Sequence, residues 1–153
     1  MIGNDVLRSV RYMLNVDDAA VASILALGGH DASTADVAAF LRKDDEPGYR
    51  ECSGRALSCF LDGLIVHRRG RDPSRAGRPP EPRIDNNAVL TKLRIAFELK
   101  EDDLLAILRA AGFPVSRPEL SALFRKPTHT NYRACGDQLL RNFLKGLTLR
   151  LRG

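Results

Sequence analysis

Residues 4–70 align without a gap onto residues 87–153 at a constant offset of 83. The match is densest where VAAFLRKDDEPGYREC, Val37 to Cys52, returns as LSALFRKPTHTNYRAC, Leu120 to Cys135. Both copies read apolar helix end, Arg-Lys, five variable residues, Tyr-Arg, one residue, Cys. Whatever fold the chain adopts, one short unit has to build it twice. The predicted division is a first repeat over 1–70, a linker over 71–83 and a second repeat over 84–153. With 153 residues and 44% hydrophobic content, the chain can bury a core as one compact domain or as two small ones sharing an interface.

Each repeat reads as four short helices. Val6, Leu7, Val10 and Leu14, echoed by Val89, Leu90, Leu93 and Phe97, recur at the three- and four-residue steps of one helical face. Asn4 and Asn87 stand where an N-cap is expected. A second helix opens on Asp17-Asp18 or Glu101-Asp102-Asp103, at the positive end of its dipole, and stops at Gly28-Gly29 or Gly112. A third is announced by Ser33 with Asp36 and by Ser116 with Glu119, the two ends of a capping box. The fourth is expected from Cys52 to about His67 and from Cys135 to about Arg150. Gly63 and Gly146 fall inside it, where glycine costs about 1 kcal/mol against alanine. Repeating that cost at equivalent positions predicts a close backbone crossing. The fold class is therefore all-α, a tandem duplication of a four-helix, helix-turn-helix-like unit.

Charge is uneven along this pattern. Residues 1–70 hold 8 Lys and Arg against 10 Asp and Glu, whereas residues 84–153 hold 12 against 7. The net charge of +5 therefore resides in the second repeat and in the Pro- and Arg-rich linker. A basic surface of this kind attracts phosphate polyanions by counterion release. No run is long and apolar enough to predict a membrane span, and no export signal is visible, so the cytoplasm is the expected compartment. Three cysteines, Cys52, Cys59 and Cys135, are an odd number without metal-ligand spacing, and buried structural thiols are the expectation.

Two constellations carry possible function. In a helix-turn-helix reading, Ala35 to Arg42 and Pro118 to Arg125 are recognition helices, although the preceding turns are long and the helices hold no Asn or Gln for reading base edges. The second constellation is the repeated pair of pairs: Arg42, Lys43, Tyr49 and Arg50, then Arg125, Lys126, Tyr132 and Arg133. Cations and a stacking ring in one loop suit phosphate and exposed bases. Asp44, Glu46 and Glu51 are expected to neutralise the first set. Pro127, His129 and Ala134 stand in their places in the second, which should leave its cations, with Arg117 and the linker arginines, open to a polyanion. No Gly-rich phosphate loop, nucleophile elbow or His-Glu-x-x-His motif occurs, and no cofactor, metal site or catalytic set is expected.

The segments NAVLTKLRIAFELKEDDLLAILRAAGF and SRPELSALFRKPTHTNYRACGDQLLRNFLKGL, with the weaker echo CSGRALSCFLDGLIVHRRG in the first repeat, resemble the YehS family of small bacterial proteins of unknown function. That resemblance implies a two-copy helical domain in the bacterial cytoplasm and brings no catalytic residue or ligand with it. Together the residues favour a non-enzymatic protein that binds nucleic acid or a ribonucleoprotein surface through its second repeat. The alternative is a protein-interaction adaptor or homo-oligomer.

Overall fold

The apolar spacing becomes helix in both repeats. In the computed structural model, which describes residues 3–71 and 84–153, the first repeat forms α1 (Gly3–Leu14), α2 (Asp18–Leu27), α3 (Thr34–Leu41) and α4 (Gly54–Arg69). The second forms α5 (Asn86–Ala96), α6 (Glu101–Ala110), α7 (Arg117–Leu123) and α8 (Asp137–Arg152). Among the described residues there is no strand. The linker expected over 71–83 lies, apart from Arg71, outside them.

Helix ends follow the local chemistry. Ser33 and Ser116 accept from the amides of Asp36 and Glu119, whose carboxylates accept in return from the serine amides. Gly29 and Gly112 adopt φ of +93° and +79° directly after α2 and α6, the left-handed turn that frees the chain to start its next helix. The fourth helix of each repeat begins two residues later than its cysteine, because the Ser53 hydroxyl caps the Ala56 amide in α4 and α8 opens at Gly136.

Within each repeat the last helix lies on the second. The predicted close crossings are there: a Cβ on Gly63 would overlap the Ile24 carbonyl oxygen, and one on Gly146 the Ile107 carbonyl oxygen. Between repeats, α4 packs on α5 and α1 on α8. Under the offset of 83 these are the same contact made in both directions, so the repeats are related by an approximate twofold. One continuous apolar cluster, from Val6 through Phe60 and Leu93 to Leu147, runs across both. Reciprocal bonds mark the relation. Arg69 Nη1 donates to the Ile95 carbonyl at 3.5 Å, and its equivalent, Arg152, donates to the Tyr12 carbonyl at 2.8 Å.

Asn4 and Asn87 correct the expectation that they cap α1 and α5. Asn4 is fully buried inside α1, and Asp85 is the cap of α5. The Asn4 side-chain amide donates to the carbonyls of Phe40 (3.0 Å) and Arg50 (2.8 Å), while its oxygen accepts from the Cys52 amide (2.8 Å). Asn87 makes the same three bonds to Leu123, Arg133 and Cys135. An amide group alone offers two donors and an acceptor on one short arm, which is what fixing both ends of a loop requires. The loops carrying the Arg-Lys and Tyr-Arg pairs are thus held in matching conformations in both copies.

Candidate nucleic-acid interface

The Asn bonds set the shape of the two loops, and each loop begins where α3 or α7 ends. Arg42 is the residue that ends α3, and Arg125 lies two residues beyond α7. The expected recognition helices therefore end earlier than their sequence segments, at Leu41 and Leu123, and their last basic residues sit at the helix end or on the turn. Those turns repeat bond for bond. Glu46 and His129 donate to the carbonyls of Lys43 and Lys126, Tyr49 and Tyr132 to those of Glu46 and His129, and Arg50 and Arg133 to those of Ala39 and Ala122.

Charge compensation differs from the expectation. Arg50 pairs with Asp36 at 3.0 Å, not with Asp44, Glu46 or Glu51. Arg133, expected to be bare, pairs with Glu119 at 3.1 Å. Both acids are the capping residues of the preceding helix, a conserved geometry within the chain that loop composition alone does not reveal. Arg117 is also compensated, by Glu101 at 3.3 Å and by Asp102. The Ser33 amide, then its hydroxyl and Arg50, hold the Asp36 carboxyl below its ordinary value. The Ser116 hydroxyl and amide, then Arg133, do the same for Glu119.

What stays open is smaller. Lys43 and Lys126 form no ion pair among the described residues. Arg42 donates to the Pro47 carbonyl at 2.8 Å, and Arg125 Nη1 lies 3.3 Å from His129 Nε2. Tyr49 and Tyr132 are half-buried. A groove of about 390 Å³ adjoins Tyr132, lined also by Thr91, Phe124, Arg125, Pro127 and the α5 cap Asp85. In the first repeat Arg8 replaces Thr91; it pairs with Asp5 and donates to the Arg42 carbonyl at 3.0 Å, closing its loop onto α1. The copies share a backbone, and the second keeps the accessible groove. The linker arginines lie outside the described residues.

The thiols are buried and unpaired, as expected from the sequence. Burial pushes Cys52 and Cys135 up to about 11, so both stay protonated at neutral pH. Among the described residues no group of three or more His, Cys, Asp or Glu converges as a metal site would, and no helix is long and apolar enough to cross a membrane.

A further cationic feature lies outside the shared motifs. A cleft of about 730 Å³ lies between α1 and α8, with Arg8, Arg141, Lys145 and Arg152 on its walls. Its signal is present in the repeat itself: the offset of 83 sets Lys145 against Asp62 and Ser9 against Lys92, so an acid–base pair in one place answers to a hydroxyl and a cation in the other.

An all-helical duplicated unit, two loops stapled by equivalent asparagines and a shared core define a tandem-repeat helical protein. The chain belongs to the family described as Protein of unknown function (DUF1456), whose model matches residues 3–70 and again 86–153. It is 53% identical over 150 residues to "Uncharacterized protein YehS" of Escherichia coli (strain K12), covering 98% of this chain and 96% of that one. No solved structure matches it.

Proposed function

We propose that the protein is a non-enzymatic binder of nucleic acid or of a ribonucleoprotein surface, contacted through the second repeat. The observation that supports this most is the Arg125-Lys126 turn, which sets two cations without a carboxylate partner among the described residues beside Tyr132 and its open groove. Phosphates lie against the cations, and an unstacked base enters beside the tyrosine. Arg117 and Arg133 contribute less, because exposed ion pairs already neutralise them. Arg42, Lys43, Tyr49 and Arg50 form the weaker twin, hemmed by Asp44, Asp45 and Glu46.

Titration of labelled single-stranded DNA and RNA at rising salt tests the reading. Affinity is expected to fall steeply with salt, and Arg125→Ala/Lys126→Ala to lower both the affinity and the salt slope, with Arg42→Ala/Lys43→Ala doing less. Binding that is absent at low salt, or indifferent to salt, refutes it. The adaptor or homo-oligomer reading draws on a different observation: Tyr12, Leu149 and Leu151 are 59, 48 and 41% exposed on neighbouring parts of α1 and α8. Solution mass across a concentration series decides that alternative.

A further inference from the structure

The two seams between the repeats are built from equivalent residues that carry different charges. At the α4–α5 seam the Lys92 ammonium, with its side chain only 14% exposed, pairs with the Asp62 carboxylate. At the α1–α8 seam the corresponding residues are Ser9 and Lys145, a hydroxyl and a second cation. Ser58, fully buried in α4, is replaced in α8 by the exposed Arg141. One seam is closed by its own counter-ion. The other is a cleft of about 730 Å³ lined by no carboxylate side chain.

Two of the four cations there are already engaged. Arg8 pairs with Asp5, and Arg152 stacks on the Tyr12 ring with its guanidinium 4.3 Å from the centroid. Lys145 has no ion-pair partner among the described residues, and neither has Arg141, one turn earlier on α8 and exposed. Around this pair lie the Ser9 hydroxyl, the exposed Tyr12 ring and the exposed Leu149 side chain. Cations one turn apart hold a phosphate, and an aromatic ring beside an aliphatic side chain covers a planar apolar body. A volume within the roughly 300 to 1,000 Å³ of small-molecule sites admits both together.

We infer that the α1–α8 cleft binds a nucleoside phosphate, its phosphate on Arg141 and Lys145 and its base against Tyr12 and Leu149. This chemistry is shared by a free nucleotide and by the 5′-phosphorylated end of a strand. The site is separate from the Arg125 turn, and neither depends on the other.

Calorimetry and amide chemical shifts at low salt test it with four probes: inorganic phosphate, AMP, and a trinucleotide with and without a 5′-phosphate. Saturable binding of AMP or of the phosphorylated trinucleotide is expected, with shifts centred on Ser9, Tyr12 and Lys145. Whichever of those two binds more tightly identifies the source. The double variant Ser9→Lys/Lys145→Asp recreates the ion pair of the other seam and should weaken binding by at least about tenfold. Should that variant not fold, Arg141→Ala/Lys145→Ala, both at exposed positions, should weaken it similarly. Arg125→Ala/Lys126→Ala should leave AMP binding unchanged, which separates this site from the proposed polyanion surface. No saturable binding of either nucleoside phosphate overturns the inference. So do inorganic phosphate binding as tightly as AMP, and affinity that survives the charge swap.

Discussion

The α4–α5 and α1–α8 seams have the same helices in the same relation, yet one is sealed and the other open. Their apolar faces match closely: Leu57, Phe60, Leu61 and Leu64 of α4 answer to Leu140, Phe143, Leu144 and Leu147 of α8, and all are buried. At the rims they part. Lys92 pairs with Asp62, Arg69 with Glu98 at 3.2 Å, and Arg68 covers the Phe97 ring on one side. The opposite rim has Ser9, Arg141 and Lys145. Apolar burial therefore sets the relation of the repeats, and rim charges vary without disturbing it. A duplicated domain can in this way keep one joint closed by charge and vary the rim of its twin.

Changes at paired positions break or sharpen that contrast. The largest effect belongs to Gly63→Ala and Gly146→Ala, since each Cβ runs into a helix backbone carbonyl that cannot yield. Each should cost about 3 kcal/mol, and because the core is shared both should lower a single thermal transition by about 6 °C or more. Two separate transitions would show that the repeats unfold independently. Next come Asn4→Ala and Asn87→Ala, which strand a helix-end carbonyl, a loop carbonyl and one amide. Denaturant titration should give about 3 kcal/mol for the fully buried Asn4 and about 2 kcal/mol for the partly exposed Asn87.

The seams themselves are compared by Lys92→Ala and Lys145→Ala. Loss of Lys92 leaves Asp62 without its partner and should cost about 1 to 2 kcal/mol. Loss of Lys145 removes a cation from among cations and should leave stability unchanged or slightly raised. Equal losses would mean that the α1–α8 seam is held by its charges after all. The smallest effect is at low pH. Asp36 and Glu119 have folded pKa values below their ordinary 3.8 and 4.5. The unfolded chain binds these protons more tightly, so the contribution is present above the ordinary values and lost as pH falls through the folded ones. Asp36→Asn/Glu119→Gln should therefore flatten the loss of stability below about pH 4.5, as read from unfolding midpoints across a pH series.

The helices and their buried faces were legible in the sequence because the three- and four-residue spacing is written twice, and agreement between copies removes ambiguity. Ser33, Ser116, Gly63 and Gly146 were legible for the same reason: caps and close crossings demand particular residue types at fixed positions. Asn4 and Asn87 were misread because an asparagine near a helix start looks like a cap, and only the fold brings the residue 50 and 133 loops beside it. Arg133 was misread for a related reason. Its partner, Glu119, is fourteen residues away and belongs to a capping box, so counting acids inside the loop missed it. The α1–α8 cleft is invisible in the motifs that the repeats share, because it lies where they differ.

The reciprocal packing of the repeats carries a consequence for ancestry and for engineering. In a pair of identical chains related by a twofold, each substitution appears at both joints at once, so a lysine that opens one would open the other. Fusing the partners into a single polypeptide lifts that constraint, letting Lys145 arise opposite Ser9 while Asp62 and Lys92 persist elsewhere. Half of this gene product, produced alone, is on these grounds expected to self-associate through the very faces that the intact molecule turns toward itself.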